Sequence, residues 1–353
     1  MNETRAVLLS PDQERLLGLL RTKGLSVKCL GQADRDGMRA LLVELHLTRG
    51  MSLTDIAKLV GNKTSGYTSW LCRQLGVKAR PFEEARLRGI KEKRRKYERK
   101  PFDGTDEDRS YLLGLRHGDL SVSQPWKGVV RVSTSTTHPA MVELFRRLFE
   151  PYGHVYQHPR YKKEMNSYEW NLSAILDSSF DFLLLSFAEI RDWVSTTAGL
   201  PLCYLSGLLD AEGSIITTRD NRGNATLFVD YYNSNKTLLE WVKRQVESLG
   251  CHCSIRINKR KGTLTKKYGI VHRSDYWQLS AYGVDTIMDL VDRLHPRHRE
   301  KIVRREVAMT VRKGEPFSLY EEKVQTIRAS IKSEVEASVE KAKHEYEMKH
   351  TSG

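Results

Sequence analysis

A chain of 353 residues, 39% hydrophobic and 29% charged, can hold two or three domains around a substantial core, which excludes a disordered polyelectrolyte. Its 58 Lys and Arg against 44 Asp and Glu leave a formal charge of +14, spread along the chain, so a polyanion is the expected partner and nucleic acid the first candidate. Five cysteines (Cys29, Cys72, Cys203, Cys251, Cys253) without a C-x-x-C pair argue against a disulfide framework or a zinc site, and no apolar run has the length of a membrane span or a signal region; an intracellular, non-secreted protein is expected.

Residues 1–82 read as a helical domain. After a short amphipathic stretch at 12–20, Leu41, Leu42 and Leu45 mark a helix that stops at Arg49-Gly50. Ser52 is placed to cap a second helix reaching Val60, Gly61 opens a tight turn, and residues 65–75 make a third helix with Tyr67, Trp70 and Leu71 apolar. The spacing of Ile56, Ala57, Gly61, Trp70 and Leu71 resembles a helix-turn-helix over about 38–76, whose later helix enters the major groove. Lys63, Thr64, Ser65, Thr68, Ser69 and Arg73 would then face phosphates and base edges; the plain alternative is a three-helix bundle with no ligand. Residues 83–104 form a basic linker, with nine Lys or Arg against four Glu between Glu83 and Lys100, able to track a phosphate backbone or simply to be solvated.

Pro101 and Gly104 precede Tyr111-Leu-Leu-Gly114-Leu-Arg-His117-Gly118-Asp119-Leu120, and a related segment, Tyr204-Leu-Ser-Gly207-Leu-Leu-Asp210-Ala211-Glu212-Gly213, follows at an offset of 93 residues. Each reads as a short apolar helix with small residues four apart, Gly114 and Gly118 in the first and Gly207 and Ala211 in the second. Such faces let two helix backbones approach closely, so the copies are expected to pack together. An acid ends each helix where the dipole already places negative charge. Packed side by side, Asp119 and Glu212 would meet and require a cation, and hard oxygen ligands favour Mg²⁺, which keeps positions for water and phosphate oxygens. Gly213 is suited to a left-handed helix end, whereas Leu120 is not.

Between and after these segments the two halves follow one plan. The first has a strand at 129–137 with Arg131, Ser133 and Ser135 opposite Val130 and Val132, a helix at 139–150, strands at 154–162 and 168–174, and a helix at 180–193. The second has a hairpin, 214–218 and 226–232, around Asp220-Asn-Arg-Gly223, flanked by Arg219 and containing Arg222. A helix at 236–249, strands at 251–260 and 268–281 and a helix at 284–294 complete it. Ser254, Arg256, Asn258 and Arg260 alternate with Ile255 and Ile257, and Tyr276, Gln278 and Ser280 with Trp277 and Leu279, so one side of the sheet is polar and basic. A charged helical tail at 318–353 carries a thin apolar line, Val324, Ile327, Ile331 and Val335.

The paired segments resemble the LAGLIDADG motif of homing endonucleases, the second more closely; in the first, His117 stands where the family often has an acid and Leu120 replaces the final glycine. The resemblance covers about residues 105–313. It implies an α+β fold of two pseudo-symmetric αββαββα half-domains, 105–200 and 201–317, forming a saddle behind the all-α domain. It further implies that Asp119 and Glu212 are the catalytic, metal-binding acids, with Mg²⁺ the expected ion and Mn²⁺ possible. Lys301 is the expected basic residue at the scissile phosphate, with Arg297 as alternative. Arg131, Ser133, Arg219, Arg222, Arg256, Asn258, Arg260 and Gln278 would contact DNA. The expected activity is a monomeric, site-specific double-strand DNA endonuclease of an intron- or intein-mobility type; the alternatives are a non-cleaving transcription regulator or an RNA-splicing maturase that binds intron RNA.

Overall fold

The computed structural model describes residues 10–21, 30–61, 65–78, 97–265 and 270–351. The chain divides into two compact units, Met1–Lys96 and Tyr97–Gly353. The predicted contacts Lys63 and Thr64 and most of the basic linker lie outside the described residues.

In the first unit the described residues form helices α1 (Pro11–Arg21), α2 (Gln32–Val43, continuing as a π turn Glu44–Thr48), α3 (Leu53–Leu59) and α4 (Gly66–Gln74). Ser52 caps α3 by accepting the Asp55 amide at 3.1 Å, and Gly61 takes φ +77° in the turn that follows. Leu16, Leu17, Met38, Leu42, Ile56 and Leu71 build one core. Thr68 is 1% exposed, and its Oγ1 finds no partner, so it is not available to a ligand. Standing one turn before Leu71 and Cys72, it shares their inward face. Conversely Trp70 lies outward, 37% exposed and stacked on Tyr67 at 5.8 Å. Ser65, Ser69 and Arg73 are solvent-accessible.

The second unit opens with residues 97–104 already packed: the Lys100 amide donates to Tyr152 O at 2.9 Å, and the Phe102 ring meets Phe180 and Phe182. Its first half is α5 (Asp106–Gly118), β1 (Ser121–Trp126), β2 (Val129–Thr136), α6 (Pro139–Phe149), β3 (Val155–Lys162), β4 (Ser167–Asp177) and α7 (Phe187–Thr196). The second is α8 (Leu200–Glu212), β5 (Gly213–Arg219), β6 (Ala225–Asn233), α9 (Lys236–Ser248), β7 (His252–Lys259), a short pair β8 (Leu264–Thr265) and β9 (Ile270–Val271), β10 (Tyr276–Tyr282) and α10 (Val284–Arg293). Helices α11 (Arg299–Ala308) and α12 (Ser318–Thr351) follow.

The two antiparallel sheets have matching orders, β1-β2-β4-β3 and β5-β6-β10-β7. Val130, Val132, Leu172 and Ala174 in one, and Leu227, Val229, Leu279 and Ala281 in the other, face a continuous core. On the opposite side Arg131 and Arg256 are exposed and Ser133 is half-buried. Asn258 and Arg260, expected on the same side, are exposed, but a register shift pairs Lys259 with Tyr276, so Asn258 sits at the irregularity and Arg260 lies beyond β7. Arg219 and Arg222 are exposed at the β5–β6 turn, where Asp220 Oδ1 accepts the amides of Arg222 and Asn224.

Two elements differ from expectation, and β1 is a strand that the sequence reading lacks, while the tail is helical as expected. The helix predicted at 180–193 is a 3₁₀ segment, Ser178–Leu184, and then α7, because Ser186 and Glu189 form a capping box that starts a new helix after extended Leu185. The strand predicted at 268–281 is interrupted: Asp275 accepts the Lys261 amide at 2.7 Å and β10 begins only at Tyr276. The tail is one long helix, α12, whose Ser338 Oγ receives Trp170 Nε1 at 3.1 Å and whose Tyr346 ring packs on Tyr168 at 5.5 Å. Because Trp170 and Tyr168 lie on the core side of β4, α12 straps the back of the first sheet and leaves its polar face clear of this contact.

Candidate active site

The site is set by how closely α5 and α8 approach. A Cβ built on Gly114 would stand 2.0 Å from Tyr204 O, and one on Gly207 would stand 2.0 Å from Tyr111 O. These near-equal distances express the pseudo-two-fold relation of the halves. One turn on, a Cβ at Gly118 would be 2.3 Å from Ala211 Cβ and 3.0 Å from Glu212 Cγ. Asp119, the C-cap of α5, and Glu212, the last residue of α8, are thereby brought to one end of the helix pair.

The helices end differently. Arg116 Nη1 donates to Leu120 O at 3.2 Å, and Leu120 is buried. Gly213 is extended (φ −111°), not left-handed as its position suggested. What requires glycine is a close approach, since a Cβ would stand 2.7 Å from Leu209 Cα.

Around the acids the charges are uneven. Burial, then the charge of Glu212, raises the Asp119 carboxyl to about 7, against the opposing pull of Lys301. Glu212 is raised mainly by burial, while a hydrogen bond from Tyr276 Oη to its Oε2, at 2.5 Å, and Lys301 hold it down. Lys301, on the first turn of α11, donates from Nζ to Gly213 O at 2.7 Å and is lowered by burial. Among the described residues, Asp119 makes no side-chain hydrogen bond to the protein, and no group of three or more His, Cys, Asp and Glu could hold a metal. Two adjoining carboxylates, one with its charge disfavoured, fit a hard cation that completes its shell with water and phosphate.

Arg297, the alternative to Lys301, lies at the other end of α5. Its Nη2 donates to Asp108 at 2.7 Å and its guanidinium lies 4.2 Å from the Tyr111 ring centre. Asp108 and Asp119 are separated by eleven residues, about 16 Å of helix, which removes Arg297 from the acids. Arg191, exposed and paired with Asp192, offers no counterpart of Lys301 in the first half.

What holds Lys301 in place is buried Asp210. Its Oδ2 accepts Tyr111 Oη at 2.6 Å and the amides of Arg297 and His298 at 2.5 and 3.1 Å, tying the start of α11 to the motif helix. Burial raises its carboxyl to about 6 despite those bonds. His117 occupies the matching place in the first half. Burial lowers it to about 4, so it is neutral at pH 7: Nε2–H donates to Leu185 O at 3.3 Å and Nδ1 accepts Tyr204 Oη at 2.8 Å. An acid that gathers backbone amides in one half is thus exchanged for a histidine that reaches a backbone carbonyl in the other. Asp210→Ala leaves the Tyr111 hydroxyl and two amides without their acceptor and is expected to destabilise the protein by about 3 kcal/mol, read from denaturant unfolding.

On the second sheet Gln278, expected to read DNA, is 6% exposed and already engaged. Its Oε1 receives Arg256 at 3.2 Å, and its Nε2 donates to Asp230 at 2.8 Å. Asp230 also accepts Tyr232 Oη at 3.0 Å, so Gln278 orients Arg256 and does not present a free edge. On the first sheet, Tyr156, His158, Arg160 and Lys162 of β3 add to Arg131 and Ser133. The sequence of β3 shows no clear apolar alternation, with Tyr156 on the open side and Pro159 on the buried side, and the side of these residues follows only from the pairing of Tyr156 with Ser173.

Residues 200–306 match the sequence profile of the LAGLIDADG-like domain. No curated protein matches the sequence. Among solved structures the chain is similar to the homing endonuclease I-DmoI (19% identity, 54% of this chain and 95% of that one, TM-score 0.36). It is also similar to the homing endonuclease I-WcaI bound to its DNA recognition sequence (13%, 56% and 86%, TM-score 0.37) and to full-length DUF199/WhiA from Thermatoga maritima (14%, 64% and 62%, TM-score 0.37). Motif, topology and profile therefore coincide on the same segment: residues 200–306 are a LAGLIDADG-like domain, and the half that precedes them repeats its αββαββα plan.

Proposed function

We propose that the protein is a site-specific double-strand DNA endonuclease that uses a divalent cation, with Mg²⁺ first and Mn²⁺ next. The observation that carries this reading is the meeting of Asp119 and Glu212 at one end of a glycine-tight helix pair, beside the Lys301 ammonium. Asp119 and Glu212 would hold the ion, which when bound supplies an activated water and offsets charge on the leaving 3′ oxygen. Lys301 places fixed positive charge beside both acids, where a scissile phosphate gathers negative charge. Arg131, Arg160 and Arg256, on the polar sides of the two sheets, with Asn258 and Arg260 at the irregular end of β7, would contact the duplex, with phosphate bonds setting register and base-edge bonds setting sequence. Both halves lie in one chain and carry different side chains, so the target need not be palindromic and a monomer suffices. Ser65, Ser69 and Arg73 of the helical unit would add a second contact region.

The test is to recover cleaved sites from a random DNA library incubated with Mg²⁺. The protein is expected to cut, and Asp119→Asn and Glu212→Gln to cut below detection; unchanged cutting in both variants refutes the site. His117 and Leu120 in the first motif favour a second reading, binding without cutting. That reading is supported if the intact protein shifts a defined duplex and no strand is broken at any Mg²⁺ or Mn²⁺ concentration.

A further inference from the structure

The two acids of the site are not held alike. Glu212 Oε2 accepts Tyr276 Oη at 2.5 Å, whereas Asp119 accepts no hydrogen bond from the described residues. Tyr276 is the first residue of β10, beside Gln278 on the polar side of the sheet, half-buried and stacked on Tyr232 with ring centres 6.3 Å apart and planes at 12°. Tyr232 is in turn fixed by Asp230, so the phenol that reaches Glu212 is braced by the network that orients Arg256.

Aligning the central strands shows what the first half has instead. Glu169-Trp170-Asn171-Leu172-Ser173-Ala174 corresponds to Tyr276-Trp277-Gln278-Leu279-Ser280-Ala281, with Trp, Leu, Ser and Ala identical. The register agrees, since Ser173 stands opposite Ser133 of β2 and Ser280 opposite Asp230 of β6. Glu169 therefore occupies the place of Tyr276. Its carboxylate oxygens are turned to Arg160 and Lys162, at 4.0 and 3.6 Å, where a phenol would offer a hydroxyl donor.

We propose that Tyr276 is a positioning residue that fixes the Glu212 carboxylate for the cation, and that Glu169 at the matching place leaves Asp119 without such support, so that the two DNA strands are cut at unequal rates. The inference rests on the nuclease reading and assigns one of its unequal parts. A carboxylate ligand oriented by an outer hydrogen bond loses roughly 10- to 100-fold in metal affinity when that bond is removed. Phe at position 276 keeps the stacked ring and removes only the donor.

Mn²⁺ binding to the DNA-free protein, followed by the electron paramagnetic resonance of free Mn²⁺, is the first readout. Tyr276→Phe is expected to bind about tenfold more weakly with an unchanged melting curve, and Tyr282→Phe, at the far, exposed end of the same strand, to bind as the unaltered protein does. The second readout is the ratio of the two strand-nicking rates on a recovered target, which Tyr276→Phe is expected to shift by slowing one strand. Unchanged Mn²⁺ affinity, or equal slowing of both strands, overturns the inference while cutting by the unaltered protein preserves the nuclease reading. If the unaltered protein cuts nothing, the strand inequality falls with that reading; a tenfold loss of Mn²⁺ affinity would then still establish the hold of Tyr276 on Glu212.

Discussion

Asp119→Asn is expected to abolish cutting and, in the same protein without metal at pH 8, to raise the melting temperature. The carboxyl of Asp119 is raised from 3.8 to about 7 by burial and by Glu212, so above pH 7 the folded state carries a charge it disfavours. The sign follows from proton counting: between 3.8 and about 7 the folded state holds a proton here that the unfolded chain has released. This group's contribution to stability is present in full below 3.8 and is lost as pH rises through about 7. Asn has no such loss. The advantage of the variant over the unaltered protein should therefore be absent near pH 4, grow towards pH 7 and level off above it. Asp119 is exposed by surface area, so solvent screens much of the effect. A gain of about 1 kcal/mol, or roughly 3 °C, is expected, and well less than the full shift implies. Scanning calorimetry of both proteins across pH, with chelator present, checks it. A variant less stable than the parent at pH 8 would mean that Asp119 is held by favourable contacts and is not strained for a cation.

The nearness of Asp119 to Glu212 is legible in the sequence because it depends on two things that sequence displays: paired small residues at helical spacing, and an acid at the same place after each. The same logic located the two sheets, whose alternation survives in β2, β4, β6 and β7. It failed where one residue's environment comes from a distant element. Strand β1 was missed because Gln124-Pro125 interrupts its alternation and because its pairing with β2 shifts register between Ser123 and Trp126. Gln278 has the right parity for a DNA contact, yet it is consumed by Arg256 and Asp230 from flanking strands, a cross-strand fact with no local signature. Thr68 was placed outward by its polarity, although its phase with Leu71 and Cys72 puts it inside. The link from Tyr276 to Glu212 joins residues 64 positions apart, and no periodicity encodes it. The signal that was present, the repeat of Trp170 and Leu172 in Trp277 and Leu279, aligns the halves and exposes the Glu169 and Tyr276 difference, but not its consequence.

The tight helix pair makes a sharper claim about its glycines than packing alone. Gly207→Ala places a methyl 2.0 Å from Tyr111 O and 2.9 Å from Leu115 N. Both are backbone atoms of a buried helix, so no rotamer change relieves the overlap and the helices must separate. A loss on the order of 3 kcal/mol or more is expected, a fall of roughly 10 °C in melting temperature. Because both acids sit at the end of this pair, cutting should fall beyond what unfolding explains. Gly118→Ala differs in kind. Its methyl would meet Ala211 Cβ at 2.3 Å, and the next neighbour, Glu212 Cγ at 3.0 Å, belongs to a flexible side chain. Trimming the partner should therefore restore it: Gly118→Ala with Ala211→Gly is expected to recover most of the stability lost by Gly118→Ala, with a coupling of about 1–3 kcal/mol in a double-mutant cycle. No side-chain substitution opposite Gly207 can do the same, since what it meets is backbone. If Gly207→Ala melted with the unaltered protein, or if Ala211→Gly failed to rescue Gly118→Ala, the close approach that brings Asp119 to Glu212 would be disproved.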